Sequence, residues 1–467
     1  MHNVTLRIKK YLLLPLALLT VLSSCSDDEE TEISDYCYIS GVTLGTVRRT
    51  MYTKSSEGTD STYYTTFTGS NFAFTIDQRK QKIENEDSLL FNSDLRSVLL
   101  TVNYVGALLV YRPAADTTAT WQTYNSKDSI DLRQPLHLKL FTEGGRLSRQ
   151  YLLKVNVHHQ EGDSLNWRKT AGGEVLAGMT EAKSVVLRDT LTVIGRMTDG
   201  SIHVATRPTL DLQGAWSTEL TDLPVTADLE TLRGRGDSLF VSLGDGSIYA
   251  TADGANWNQL AGSVTGLKLV AVTDDLFYAL IGEGLFRSTD AAAWEAEALD
   301  APASNLPRHG IQSVAYEQTN GNRRLVLLGA RENASVADTT AAVWCKVWNA
   351  RTPEEHAEWV YVTPTEDNLY QCPLLKQLTL LHYDGKLMAF GGESEENCGS
   401  HQSLDSLYMS NDHGITWRSD GEIKLPTSLK GKTGAVTACV DGQKYIWLTA
   451  NQEVWRGRLN RLGFVRQ

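Results

Sequence analysis

From residue 191 to the C-terminus, apolar and polar stretches alternate in a repeating order: an apolar run of strand length, a polar turn, a second run, then an aromatic residue. The apolar runs 191–195, 239–243, 276–280, 325–329, 387–392 and 445–449 each open a unit. The second runs are 201–206, 245–251, 284–288, 342–346, 407–410 and 454–457. The closing aromatics are Trp216, Trp257, Trp294, Trp359, Trp417 and Phe464. An upstream apolar run, such as 268–272, 313–316 or 435–439, supplies a further strand. Units of four short strands, roughly 40 to 60 residues long, are the pattern of propeller blades. The count is six. Trp167 leaves room for a seventh closing strand, or for a lead-in from the preceding segment.

Residues 34–160 follow another rhythm. Strand-like runs at 38–47, 63–74, 97–105, 136–141 and 151–158 are separated by turn-rich patches such as 55–60 and 142–145. Tyr151, Leu153, Val155 and Val157 share one parity, which places them on one face of a sheet. Short strands at this spacing predict a small sandwich. The expected architecture is all-β: a β-sandwich over 34–160, then a six-bladed, alternatively seven-bladed, β-propeller over 161–467.

The N-terminus is patterned differently again. Residues 1–10 carry Arg7, Lys9 and Lys10 and no acid, and 11–22 are apolar but for Pro15 and Thr20. The run is shorter than the roughly 20 residues a membrane-spanning helix needs. A basic flank, a short apolar stretch and small residues make a secretory signal over 1–24. Val21-Leu22-Ser23-Ser24-Cys25 resembles the bacterial lipobox. That resemblance implies cleavage before Cys25 and lipidation of its thiol, with membrane attachment worth about 0.8 kcal/mol per buried CH2. Residues 25–33 hold Asp27, Asp28, Glu29, Glu30 and Glu32, and predict a solvated acidic tether. They also resemble the signal that sends Bacteroidetes lipoproteins to the outer face of the outer membrane. The expected location is the outer membrane, exposed at the cell surface, with the periplasmic face as the alternative.

Composition narrows the partners. The chain has 467 residues and a net charge of −12, without the clustered Lys and Arg that nucleic acid requires. Beyond Cys25, the cysteines are Cys37, Cys345, Cys372, Cys398 and Cys439. An exported compartment permits disulfides. The odd number leaves at least one thiol unpaired within the chain, and no pairing follows from spacing. With no CxxC pair, no zinc or thioredoxin-like site is expected, nor any cofactor. His158 and His159 are neighbours on a strand, so their side chains point to opposite faces and cannot easily share one ion.

One repeat carries a sharper motif. Ser410-Asn411-Asp412-His413-Gly414-Ile415-Thr416-Trp417 resembles the Asp-box, in which Ser410, Asp412, Gly414, Thr416 and Trp417 hold the defining positions. Asp can accept backbone N–H bonds, Gly permits positive φ, and Trp packs beneath the turn. Thr251, Asp253 and Trp257, and likewise Ser288, Asp290 and Trp294, resemble it with one residue fewer. In Asp-box families this motif is structural. The residues 34–160 loosely resemble the Ig-like modules of Bacteroides surface lipoproteins, through Thr75-Ile76-Asp77-Gln78, 85–89 and the Tyr151-to-His158 run. That resemblance implies a spacer or binding module.

Asp-box propellers include sialidases, which need three converging arginines, a tyrosine paired with an acid, and an aspartate. They also usually carry a Phe/Tyr-Arg-Ile/Leu-Pro motif early in the fold. Here Asn305-Leu306-Pro307-Arg308 has the wrong order and place. Nothing in the sequence makes Arg188, Arg196, Arg207, Arg233, Arg235, Arg287 and Arg308 converge. Glu354-Glu355-His356-Ala357-Glu358 is not the two-histidine metalloprotease spacing. No catalytic residue is assigned. The expected function is a lipid-anchored surface protein whose propeller face recognises a glycan or protein. The alternatives are a glycan-acting enzyme of sialidase or lyase type, and a structural or assembly factor.

Overall fold

The computed structural model describes residues 35–54, 60–211, 214–332, 339–365, 367–392, 403–419, 423–450 and 452–463. The expected signal segment, Cys25, the expected acidic tether, Cys398 and Phe464 lie outside the described residues. The chain divides into two units, one up to residue 160 and one over 161–464. Among the described residues no helix is long and apolar enough to cross a membrane.

The first unit is a sandwich. A six-stranded sheet contains Phe74–Asp77, Lys82–Asn85, Leu108–Pro113, Gln122–Thr123, Leu136–Phe141 and Ser148–Lys154. A three-stranded sheet places Val98–Val105 between Tyr38–Leu44 and Ser129–Ile130. Alternate residues of both sheets meet in one core: Ile39, Val42, Leu44, Leu100 and Val102 against Ile83, Leu138, Leu140, Tyr151 and Leu153. Tyr151 is fully buried, and its hydroxyl donates to Gln78 Oε1 at 2.8 Å. The strand that carries it ends at Lys154, four residues before the expected limit. There the backbone of Asn156 turns to bond the side chain of Asn85 in both directions, at 2.7 and 2.9 Å. The expected run 38–47 is two strands that part at Gly45, and the second, Thr46–Lys54, pairs with Asp60–Thr68.

The second unit holds six four-stranded antiparallel sheets among the described residues. The innermost strands are Met179–Leu187, Arg233–Arg235, Leu267–Val272, Pro307–Glu317, Thr379–Tyr383 and Val436–Val440, which head blades 1 to 6. They pack side by side in a ring; a single-turn helix, Leu229–Thr231, helps to join blades 1 and 2. Second strands are buried on both faces because a blade lies on either side. Leu191, Val193 and Ile194 of blade 1, and Leu387, Met388 and Ala389 of blade 5, are each 0 % exposed. This double burial is why the sequence shows apolar runs there instead of alternation.

The Trp167 strand, Leu165–Thr170, heads no seventh sheet among the described residues. It pairs antiparallel with Glu453–Leu459 and forms the outermost strand of the last blade. The two ends of the propeller sequence thus close the ring within one sheet. Gly457 makes this possible: a Cβ there would lie 2.4 Å from the Trp167 ring.

Candidate functional site on the propeller axis

The aspartate turns lie between third and fourth strands. In blade 5, Asp412 Oδ1 accepts from Thr416 N at 2.8 Å, its Oδ2 accepts from the Thr416 hydroxyl at 2.7 Å, and Ser410 Oγ donates to Oδ1 at 2.8 Å. Gly414 takes φ 104°, and Trp417 lies buried with its indole N–H on Gly414 O at 3.0 Å. In blade 2 the shorter turn has Asp253 Oδ1 accepting from Ala255 N and Asn256 N, while Trp257 donates to Gly254 O. In blade 3 Asp290 does the same for Ala292 N and Ala293 N, and Ser288 donates to it. The missing residue shifts the accepting bonds from the fourth residue after Ser or Thr and Asp to earlier ones. Burial works to raise the carboxyl pKa of Asp253, but its hydrogen bonds outweigh this and hold it at about 2. Asp412 moves the same way for the same reasons. Two of these turns press against the neighbouring blade. A Cβ at Gly414 would meet Val343 of blade 4, and one at Gly254 would meet Val204 of blade 1. Ala291, at the equivalent place in blade 3, is buried with φ 62°.

Among the described residues, innermost strands line two recesses. The wide one, about 410 Å³, lies at the C-terminal ends of the innermost strands of blades 2, 3 and 4. It is lined by Arg235, Asp274, Tyr316, Glu317, Arg323 and Trp348, among others. Arg323 pairs with Asp274 at 3.4 Å, and the Arg235 guanidinium sits 4.4 Å from the Phe277 ring centroid. The Tyr316 ring stacks on His382 at 3.9 Å, and its hydroxyl bonds His413 Nδ1 at 2.8 Å. Gln318 Nε2 approaches the other nitrogen of His413 at 2.8 Å, so His413 joins blade 5's turn to blade 4. Burial pushes the Tyr316 pKa up to about 12.

The narrow recess, about 230 Å³, lies at the opposite, N-terminal ends of the innermost strands. Thr180, Glu181 and Lys183 line it from blade 1, Glu230 from the single-turn helix, Gly310 and Gln312 from blade 4, Gln377 from the approach to blade 5, and Val436 from blade 6. Between the recesses lies Arg233. It lines the wide one, and its charge reaches Lys183 in the narrow one. Arg233 donates to the carbonyls of Val270, Glu230, Leu232 and Ile311 at 2.7 to 3.0 Å, and to Ser313 Oγ at 3.0 Å. Burial lowers its pKa to about 10.

The other arginines singled out in the sequence scatter. Arg188 pairs with Asp237, Arg196 with Glu181, and Arg287 with Glu295 and Glu297. Arg207 donates to Ala171 O, and Arg308 to the carbonyls of Gly282 and Glu283. A tyrosine does meet an acid: Tyr278 donates to Glu354 Oε1 at 2.8 Å. Tyr278 is 0 % exposed, however, and burial raises its pKa further from the neutral range. Glu354 also accepts from Thr273, and beside it Lys346 pairs with Glu297 at 2.5 Å with both side chains buried. The cluster fastens blade 3 to blade 4. Among the described residues no group of three or more His, Cys, Asp or Glu could hold a metal ion. Among the described residues Cys37, Cys345, Cys372 and Cys439 are buried and form no disulfide.

A ring of four-stranded sheets around an axis defines the second unit as a β-propeller. The chain belongs to the DUF6242 family: residues 161–467 match the DUF6242 beta propeller domain, and 42–155 match the DUF6242 N-terminal domain, a domain of unknown function. A comparison with curated proteins yields no match. Three solved structures show a distant likeness. A DUF4623 family protein from Bacteroides eggerthii is 9 % identical with a TM-score of 0.37, over 90 % of this chain and 98 % of that one. The α-L-arabinofuranosidase Arb93A from Fusarium graminearum is 11 % identical with a TM-score of 0.36, over 64 % and 99 %. AofleA from Arthrobotrys oligospora is 14 % identical with a TM-score of 0.36, over 63 % and 86 %.

Proposed function

We propose that this chain is a lipid-anchored cell-surface protein whose propeller binds a glycan or a protein without catalysing a reaction. One observation carries the reading: the groups that chemistry would need are already committed to the fold. Arg233 is held on four backbone carbonyls, and the Tyr278–Glu354 pair is sealed between two blades. Tyr316 is fixed by stacking and by His413. What stays open is a polar recess of about 410 Å³, within the range of small-molecule sites, with charged and aromatic side chains in its wall. On this reading the Asp-box residues act structurally, as inter-blade packing turns, and Cys25 carries the anchor.

The test uses the whole chain. Applied to a glycan array beside a fluorogenic sialidase substrate, it should retain a defined glycan class and release no fluorophore. Silence on the array would move the partner to a protein, sought by crosslinking on intact cells; fluorophore release would overturn the reading. Labelled palmitate should enter the wild type and not Cys25→Ala, and surface protease should reach the protein on intact cells.

A further inference from the structure

We propose that the narrow recess is a second binding site, for a small carboxylate of sugar-acid size, held by Lys183, Gln312 and Gln377. This does not depend on what the wide recess binds. The argument begins with the Lys183 ammonium, which has three N–H donors and gives one to Gln312 Oε1 at 3.2 Å. The acids around it are spoken for. Glu181 pairs with Arg196 at 3.3 Å, and Glu230 with Lys268 at 2.8 Å and with the Ile311 N–H. Asp228 lies 3.5 Å from the same Lys268. Among the described residues Lys183 makes no ion pair.

The two amides complete a donor set. Lys183 can only donate, so Gln312 must turn its oxygen to it, which leaves the Gln312 NH2 for the recess. Gln377 accepts from Val436 N–H at 3.0 Å, so its oxygen is also spent and its NH2 remains. Gln377 holds a left-handed φ of 48°, an uncommon conformation for a residue with a side chain, and a placement that functional sites favour. Gly310, at φ 60°, adds no side chain, and a Cβ there would meet nothing within 4 Å.

Lys183, Gln312 and Gln377 line one small recess, and an ammonium with two uncommitted amide NH2 groups suits an acceptor-rich, anionic ligand. A carboxylate, with about four lone-pair sites, suits that set. Glu181 and Glu230 line the same recess, so a doubly charged phosphate would be repelled more strongly than a singly charged carboxylate, while their oxygens would accept from a sugar hydroxyl. At about 230 Å³ the recess is smaller than the sites of drug-sized ligands and takes one small acid, not a glycan chain. Burial, with the nearby Arg233 charge, lowers the Lys183 pKa to about 8, a strain that a bound carboxylate would relieve.

Ligand-observed NMR and calorimetry on the full chain test this with D-glucuronate, D-galacturonate, D-gluconate, D-glucose and inorganic phosphate. At least one sugar acid should bind, glucose should not, and Lys183→Met should weaken the acid at least about tenfold, as the loss of a charged hydrogen bond does. Gln312→Leu, which keeps the charge, provides the second variant and should weaken it about threefold, as the loss of one neutral hydrogen bond does. The proposal is overturned if no sugar acid binds at about 10 mM, if Lys183→Met and Gln312→Leu bind as wild type does, or if phosphate binds as tightly as the acids. A glycan-array signal that Lys183→Met leaves unchanged belongs to the wide recess, so either result can stand without the other.

Discussion

Two cations lie next to one another on the propeller axis and do opposite work. Arg233 is enclosed by carbonyls from its own segment and from blades 3 and 4, and among the described residues makes no ion pair. Its planar fork reaches several acceptors at fixed angles, which a lysine could not do. Lys183 has one amide partner and faces a recess. A buried charge stabilises a fold when its bonds are satisfied and costs stability when they are not. The first cation therefore builds the ring, and the second is kept at a cost that a ligand would explain.

The comparison can be broken by substitution. Arg233→Met should have the largest effect, because it orphans four buried carbonyls that join three blades. We expect a loss of about 3 to 5 kcal/mol in urea unfolding followed by tryptophan fluorescence. Asp412→Ala removes the acceptor of three hydrogen bonds in a rim turn and should cost about 2 kcal/mol in the same measurement. Tyr316→Phe keeps the stacking on His382 and loses one bond to His413, for about 1 kcal/mol. Lys183→Met should be the smallest, within about 1 kcal/mol of wild type and on either side of it, since a poorly paired, half-buried charge is exchanged for an apolar chain of similar length. An Arg233→Met protein as stable as wild type would remove the distinction between the two cations.

Acid sharpens the contrast between axis and rim. The folded-state pKa of Asp253, about 2, is below its ordinary value of 3.8. Its contribution is therefore present above pH 3.8 and lost as pH falls through 2. The Asp253→Ala protein should lose less stability than wild type over that window when unfolding is followed as a function of pH. Arg233 stays charged there and is held by carbonyls, so the bonds it makes should be insensitive.

The repeat was legible because each blade is local in sequence: strands that pair are joined by short turns, and double burial writes apolar runs. The strand Thr46–Lys54 escaped notice because Arg48, Arg49 and Thr50 break the alternation of its apolar residues. Ring closure is half visible in the sequence: Trp167 marks a closing strand, but its pairing with residues nearly 300 positions away leaves no local mark. The aspartate turns announced themselves through Ser, Asp, Gly and Trp at fixed offsets. The axial residues did not, since Lys183, Glu230, Gln312 and Gln377 come from four different blades or their approaches and meet only through the ring. Arg233 stood among seven arginines with nothing to single it out.

The central claim is that the propeller binds without chemistry. Its most direct test is a prolonged incubation of the full chain with the glycan it retains on the array, followed by mass spectrometry of the glycan. Recovery of the intact glycan is the predicted result. Product in molar excess over the protein would contradict it, and would mean that the committed tyrosines and arginines rearrange when ligand arrives.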